Sequence, residues 1–190
     1  WYKSHSILPQ EFNKVLSKCD GLKILNIIRN PQDAMASRFY FAYKHSPNRG
    51  SDSDILREIE KWGDEGRELS ERDIIMRSIQ EKGVVHRWYK ELIAFRKEVN
   101  NERVITLNYD KLVFGDEEEI DRLLGFCGSS INVDSIKNWF PANFERSQSD
   151  EIQRTNRSGD SLFFRKGANS NGSELFDENI MEQLEKSVNT

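Results

Sequence analysis

Arg29 and Ser37 lie eight positions apart in Arg29-Asn-Pro-Gln-Asp-Ala-Met-Ala-Ser37, which follows directly on the apolar run Lys23-Ile-Leu-Asn-Ile-Ile28. The run reads as a strand. The next residues read as a helix start: Asn30 as cap, Pro31 as first residue, and Asp33 in the first turn, where a carboxylate complements the positive end of the helix dipole. A guanidinium at a strand end and a hydroxyl one to two turns into the next helix suit a phosphate. At helical spacing Asn30, Ala34 and Ser37 share a face, so the Ser37 hydroxyl can point back toward the strand end, above an N-terminus disposed to hold anions. The same residues also fit an ordinary strand-to-helix junction with a solvated arginine, so the segment alone defines an anion site and no activity.

The elements that would position these groups alternate along the chain. A short strand around Tyr2 to Ser4 leads to a helix after Pro9, then to the strand ending near Arg29 and a helix from Pro31 to about Tyr43. Residues 45–70 turn polar and charged around an amphipathic island at Ile55, Ile59 and Trp62, which reads as a mobile excursion holding a short helix. Ser70 and Asp73 fit the N-cap of one long helix through Val85, Trp88, Leu92 and Phe95. A strand ending at Tyr109 follows, then helices around Glu117 to Phe126 and Val133 to Phe140, a polar loop from Ser147 to Ser161, and a last helix starting near Asp177. Strands separated by long helical runs require crossover connections. The expected fold class is therefore α/β, a parallel sheet flanked by helices on both faces.

Composition narrows the function classes. The 190 residues suit a single domain, expected to span 1–190. Charged residues make up 32% and the mean hydropathy is -0.74, the profile of a soluble protein. A formal net charge of -4 argues against broad nucleic-acid or anionic-membrane binding, so phosphate affinity must come from locally placed arginines and lysines. Cys19 and Cys127 are far apart and lack metal-ligand spacing, which favours a reduced cytoplasmic compartment over a disulfide scaffold. No apolar run reaches transmembrane length.

Four segments, in order, resemble the sulfotransferases that use 3′-phosphoadenosine 5′-phosphosulfate (PAPS), especially the soluble aryl and alcohol type. Tyr2-Lys-Ser-His5 with the downstream Leu8-Pro9 is similar to the family's Lys-Thr-His segment, which carries the catalytic histidine. The strand and helix around Arg29 and Ser37 match the pair that holds the cofactor's 3′-phosphate. Arg103-Val-Ile-Thr-Leu-Asn-Tyr109-Asp-Lys-Leu112 is similar to the strand ending in Tyr-Glu-Asp-Leu, whose tyrosine contacts the adenosine. Phe163-Phe-Arg165-Lys166-Gly167 looks like the Phe-Arg-Lys-Gly loop that closes over the nucleotide. Each segment is weak alone; their order over nearly the whole chain is specific.

There are departures. The family's phosphate loop, Tyr-Pro-Lys-Ser-Gly-Thr-Thr-Trp, has no counterpart, and Trp1 stands only four positions before His5. The expectation is a chain truncated downstream of that loop and of its strand, since the remaining motifs keep polar residues that a decaying relative has no reason to retain; a separate upstream piece and a degenerate relative are the alternatives. Phe144 lies where the family sets a phenylalanine against adenine, but Ala142 replaces the usual hydroxyl residue, and Ser170-Asn171-Gly172 replaces Gly-Asp-Trp after the closing loop.

The resemblance implies sulfuryl transfer, which needs an in-line acceptor oxygen, a base for its proton, and positive charge where oxygens gain negative charge. No metal is required if lysine and arginine supply that charge. His5 is the expected base, imidazole being the side chain that titrates near neutrality. Lys3, two positions earlier on the same strand face, is placed to reach the transferring group, although a solvated lysine fits equally. Arg29, Ser37, Tyr109, Phe144, Arg165, Lys166 and Gly167 are the implied cofactor contacts; Tyr109 also fits a strand-end tyrosine anchoring a turn, and Phe144 a core aromatic. His45 and His86 match nothing and read as structural. The expected acceptor is a small molecule with a hydroxyl or amine. A non-catalytic 3′-phosphoadenosine-binding module is the second reading. A kinase-like enzyme is disfavoured, because no Gly-Lys-Ser/Thr loop or magnesium-binding acidic motif is present.

Overall fold

The computed structural model describes residues 8–45, 53–139, 141–142 and 172–189. They divide between two compact units: residues of Trp1–Arg29 and Ile93–Ser147 form the first, and residues of Asn30–Leu92 and Gln148–Thr190 the second. The class is α/β, with a parallel sheet and flanking helices.

In the first unit, strand β1 (Ile24–Ile28) and strand β2 (Val104–Asn108) pair in parallel, in the register Ile24↔Val104 to Ile28↔Asn108. Both are rich in β-branched and aliphatic residues, which fit a pleated, packed surface. Side-chain alternation puts Leu25, Ile105 and Leu107 on one face. Leu107 is buried there with Leu112 of helix α7 (Tyr109–Val113) and Ile120 of helix α8 (Glu117–Cys127), and Leu123, Leu124, Val133 and Ile136 close the cluster. The opposite face carries a polar pair: Asn26, buried, donates through Nδ2 to the Phe95 carbonyl (3.1 Å) and to Thr106 Oγ1 on the neighbouring strand (3.3 Å).

Helix ends in this unit follow their local chemistry. Helix α1 (Pro9–Leu16) buries Phe12 and Leu16, and Arg103 satisfies its exposed last carbonyls by donating to Leu16 O at 3.0 Å. Helix α8 starts at Asp116, whose carboxylate accepts from Glu119 N–H, and stops at Gly128 in the left-handed conformation (φ 68°). Helix α9 (Val133–Ile136) is capped by Asn132.

The second unit is helical. Helix α2 (Pro31–Tyr40) begins as the sequence indicates, with Asn30 Oδ1 accepting from Gln32 N–H at 2.9 Å and Pro31 in the first turn, and runs into a π-helical turn at Phe41–His45. The amphipathic island forms helix α3 (Asp54–Lys61), with Ile55 and Ile59 buried, followed by helix α4 (Gly63–Glu68). The long helix expected from Ser70 through Phe95 is instead two, α5 (Glu71–Gln80) and α6 (Val84–Phe95), of which the residues from Ile93 on count with the first unit. At the break, Gly83 N–H donates to Ser78 O and Lys82 N–H to Ile79 O, with Lys82 at φ 51° in the left-handed region usually given to glycine. The N-terminus of α6 is then capped from outside its own helix: Val84 N–H donates to Glu58 Oε2 (2.6 Å) and Val85 N–H to Ser78 Oγ (2.9 Å). Helix α10 (Gly172–Leu175) packs on α2 and helix α11 (Glu178–Asn189) on α5. Phe39 and Phe176 meet edge to face with centroids 6.4 Å apart. No helix among the described residues is long and apolar enough to cross a membrane.

Candidate functional site

Arg29 leaves the C-terminal end of β1, the end of a parallel strand at which α/β folds place ligands. Its side chain is only 28% exposed. The guanidinium carbon lies 5.2 Å from the centre of the Tyr109 ring, a cation–π distance, and Nε lies 3.4 Å from Asp110 Oδ1. This last approach is an ion pair without hydrogen-bond alignment, because the buried Nε has no hydrogen-bond partner. Among the described residues no hydrogen bond from the two terminal nitrogens is seen, and there the guanidinium is held from its stem and one face. Behind it, Arg96 Nη1 donates to the Arg29 carbonyl at 2.8 Å and fixes the backbone.

Tyr109 does not end the strand; it opens α7. Asn108 is the cap, its side-chain oxygen accepting from Asp110 N–H (2.9 Å) and Lys111 N–H (3.1 Å). The Tyr109 ring is half-buried, and burial pushes its phenol above the usual value against the opposing pull of the Arg29 charge, with Asp110 adding to the rise. The phenol is therefore neutral throughout the physiological range and presents an uncharged ring to the guanidinium. The Asn108 N–H donates to the carboxylate of Glu119, a buried acid whose other oxygen accepts from Arg122 Nη1 at 2.6 Å. Arg122 also donates to Thr106 O at 3.0 Å.

Ser37 belongs to the second unit and lies on the exposed face of α2, opposite buried Met35, Ala36 and Phe39. The first turn of α2 is more occupied than a bare anion site: Asp33 Oδ1 accepts from Gly172 N–H at 3.3 Å, and a Cβ on Gly172 would fall 2.6 Å from the Asp33 nitrogen. Close backbone approach explains the glycine there. Asp33 thus holds α10 as well as complementing the dipole.

Of the other expected site residues, Lys3, His5, Phe144, Arg165, Lys166 and Gly167 lie outside the described residues. His86 is buried and structural, as expected, with Nδ1 2.9 Å from Ser187 Oγ. Asp110, Arg96, Asn108 and Glu119 were not singled out from sequence. Asn108 was readable as a cap, being an Asn at the junction of a strand with a helix. Glu119 was not, because Asp116-Glu-Glu-Glu119 reads as a local capping pair, whereas the carboxylate reaches back to Asn108.

In the second unit a cavity of about 490 Å³ is lined by Arg57, Glu58, Lys61, Trp62, Lys82 and Arg87 among others. No group of three or more His, Cys, Asp or Glu among the described residues is placed to hold a metal ion.

The family model for the sulfotransferase domain matches residues 3–189. Neither the curated proteins nor the solved structures compared with the chain give a match.

Proposed function

The chain belongs to the sulfotransferase family, and from that premise we propose that it moves the sulfuryl group of PAPS to a hydroxyl or amine acceptor, with His5 as general base. PAPS, when bound, supplies the activated sulfuryl group. Arg29 and Ser37 hold its 3′-phosphate. Tyr109 and Phe144 contact the adenosine, and Arg165, Lys166 and Gly167 form the loop over the nucleotide. His5 takes the acceptor's proton, and Lys3 supplies positive charge at the transferring group. The reading treats 1–190 as one sulfotransferase-like domain acting in the cytoplasm; the free thiols of Cys19 and Cys127 fit that compartment.

The observation that carries this reading is the Arg29 fork. A guanidinium fixed at its stem by Asp110 and on its face by Tyr109, with no hydrogen bond from its terminal nitrogens seen among the described residues, fits two oxygens of a phosphate dianion in the bidentate manner. A merely solvated arginine needs neither the ring nor the carboxylate.

Calorimetry with adenosine 3′,5′-bisphosphate and adenosine 5′-phosphate tests the binding half. The bisphosphate should bind more tightly, and Arg29→Ala should cost more than Ser37→Ala, because the charge-assisted bond is the stronger kind. Equal binding of the two nucleotides would remove the site. Turnover is tested with PAPS and hydroxyl acceptors: His5→Ala should lower the rate by roughly two to four orders of magnitude with cofactor affinity unchanged. Bisphosphate binding without any sulfated product would favour the non-catalytic module.

A further inference from the structure

Glu119 is a carboxylate in an aliphatic setting. It is 3% exposed, next in sequence to fully buried Ile120, on the helix that packs over Leu107 and Leu112. Burying a carboxylate costs free energy unless it is paired and hydrogen-bonded, and an apolar residue of similar volume often serves stability as well or better. What the carboxylate supplies that a leucine cannot is a pair of acceptor oxygens, one for Arg122 and the other for the N–H of Asn108, the last residue of β2. From there the connections are short. Asn108 caps α7 by accepting from Asp110 and Lys111, and among the described residues Tyr109 and Asp110 hold the Arg29 guanidinium. Arg122 anchors the other end by donating to Glu119 at 2.6 Å and to the β2 carbonyl of Thr106 at 3.0 Å.

We infer that Glu119 is a positioning residue for Arg29: through Asn108 it fixes the strand-to-helix corner that sets Tyr109 and Asp110 against the guanidinium, and so aims the fork at its anion. The inference rests on the reading that Arg29 holds the 3′-phosphate. It makes Glu119 a determinant of 3′-phosphate recognition although it does not touch Arg29.

Two substitutions separate positioning from packing. Glu119→Leu keeps the volume and removes the acceptor; Glu119→Gln keeps an acceptor oxygen and removes the charge. Titrating the full chain with adenosine 3′,5′-bisphosphate, Glu119→Leu should weaken binding roughly tenfold, the scale of one lost hydrogen-bond link to a charged group, and should leave adenosine 5′-phosphate binding unmoved. Glu119→Gln should restore most of the loss. Ile120→Val, a packing control, should lower the melting temperature without changing the preference between the nucleotides. In an Arg29→Ala background, Glu119→Leu should cause no further loss, since it acts through the arginine. If Glu119→Leu fails to fold, Asn108→Ser breaks the same link from the other side and should shift the preference the same way. An unchanged preference in both Glu119→Leu and Asn108→Ser, a loss that adds in full to that of Arg29→Ala, or an equal change in Ile120→Val would overturn the inference. Failure of the underlying reading has its own signature, a wild-type preference that survives Arg29→Ala; that result would overturn both.

Discussion

The Arg29 guanidinium carbon stands 5.2 Å from the centre of the Tyr109 ring, while the residue after that tyrosine, Asp110, faces the same guanidinium at Nε. One short corner of chain therefore supplies both restraints, an apolar face and a counter-charge. The tyrosine contributes as a ring as well as through any hydroxyl contact. Tyr109→Phe should keep most of the affinity for adenosine 3′,5′-bisphosphate, and Tyr109→Ala should lose roughly three- to thirtyfold, the worth of about 0.5 to 2 kcal/mol of cation–π contact. Calorimetry on the two variants decides this. An equal loss in both would place the contribution in the hydroxyl. The phenol's raised pKa adds a pH test. A group held protonated by the fold stabilises fully below its unfolded value, near pH 10, and loses that contribution as pH rises through the higher folded value. The ultraviolet signature of tyrosinate from Tyr109 should consequently emerge later in an alkaline titration than that of an exposed tyrosine.

The start of α2 was legible in the sequence because every part of it is local: the strand run, Asn30, Pro31 and the first-turn acid are adjacent and act on each other. The break between α5 and α6 was not. Ile75, Ile79, Val85 and Trp88 continue an apolar period across it, all four are buried, and the lysine that takes the left-handed conformation gives no warning. What fixes the break is Glu58, 26 residues away from the Val84 N–H that it caps. The anion site divides in the same way. Arg29 was readable from its place after a strand, but Tyr109 and Asp110, which face it, come from the helix that follows a second strand, and tertiary contacts of that kind leave no spacing to read.

Gly83 and Glu58 allow a direct test of that tertiary cap. A Cβ on Gly83 would collide with the Glu58 carboxylate, which cannot swing aside without releasing the Val84 N–H. Gly83→Ala should destabilise the protein by about 1–3 kcal/mol, as overpacking does. Gly125→Ala in α8 meets open space and should instead stabilise by roughly 0.5–1 kcal/mol, the helix-interior preference of alanine. Urea unfolding of the two variants checks both signs. A neutral Gly83→Ala would mean that Glu58 is not fixed as described.

His86 should make the fold sensitive to mild acid. It is buried on α6 beside Ser187 of α11; the Ser187 hydroxyl donates to the Leu184 carbonyl at 2.7 Å, which leaves Ser187 Oγ to accept from Nδ1–H. Burial lowers the imidazole pKa most, and the charges of Lys82, Lys90 and Arg87 lower it further. The sign follows from linkage: a histidine kept neutral by the fold stabilises fully above its unfolded value, near 6.5, and that contribution is lost as pH falls through the lower folded value, where the buried ring must charge. The melting temperature should therefore fall as pH drops from 7 toward 5, and the fall should be smaller in His86→Gln, which has no proton to gain. Parallel slopes for the two proteins would assign the acid response in this window to groups other than His86; Asp177 is not one of them, because its pKa is lowered by its hydrogen bond from Arg72 and its contribution is lost only below the ordinary carboxylate value.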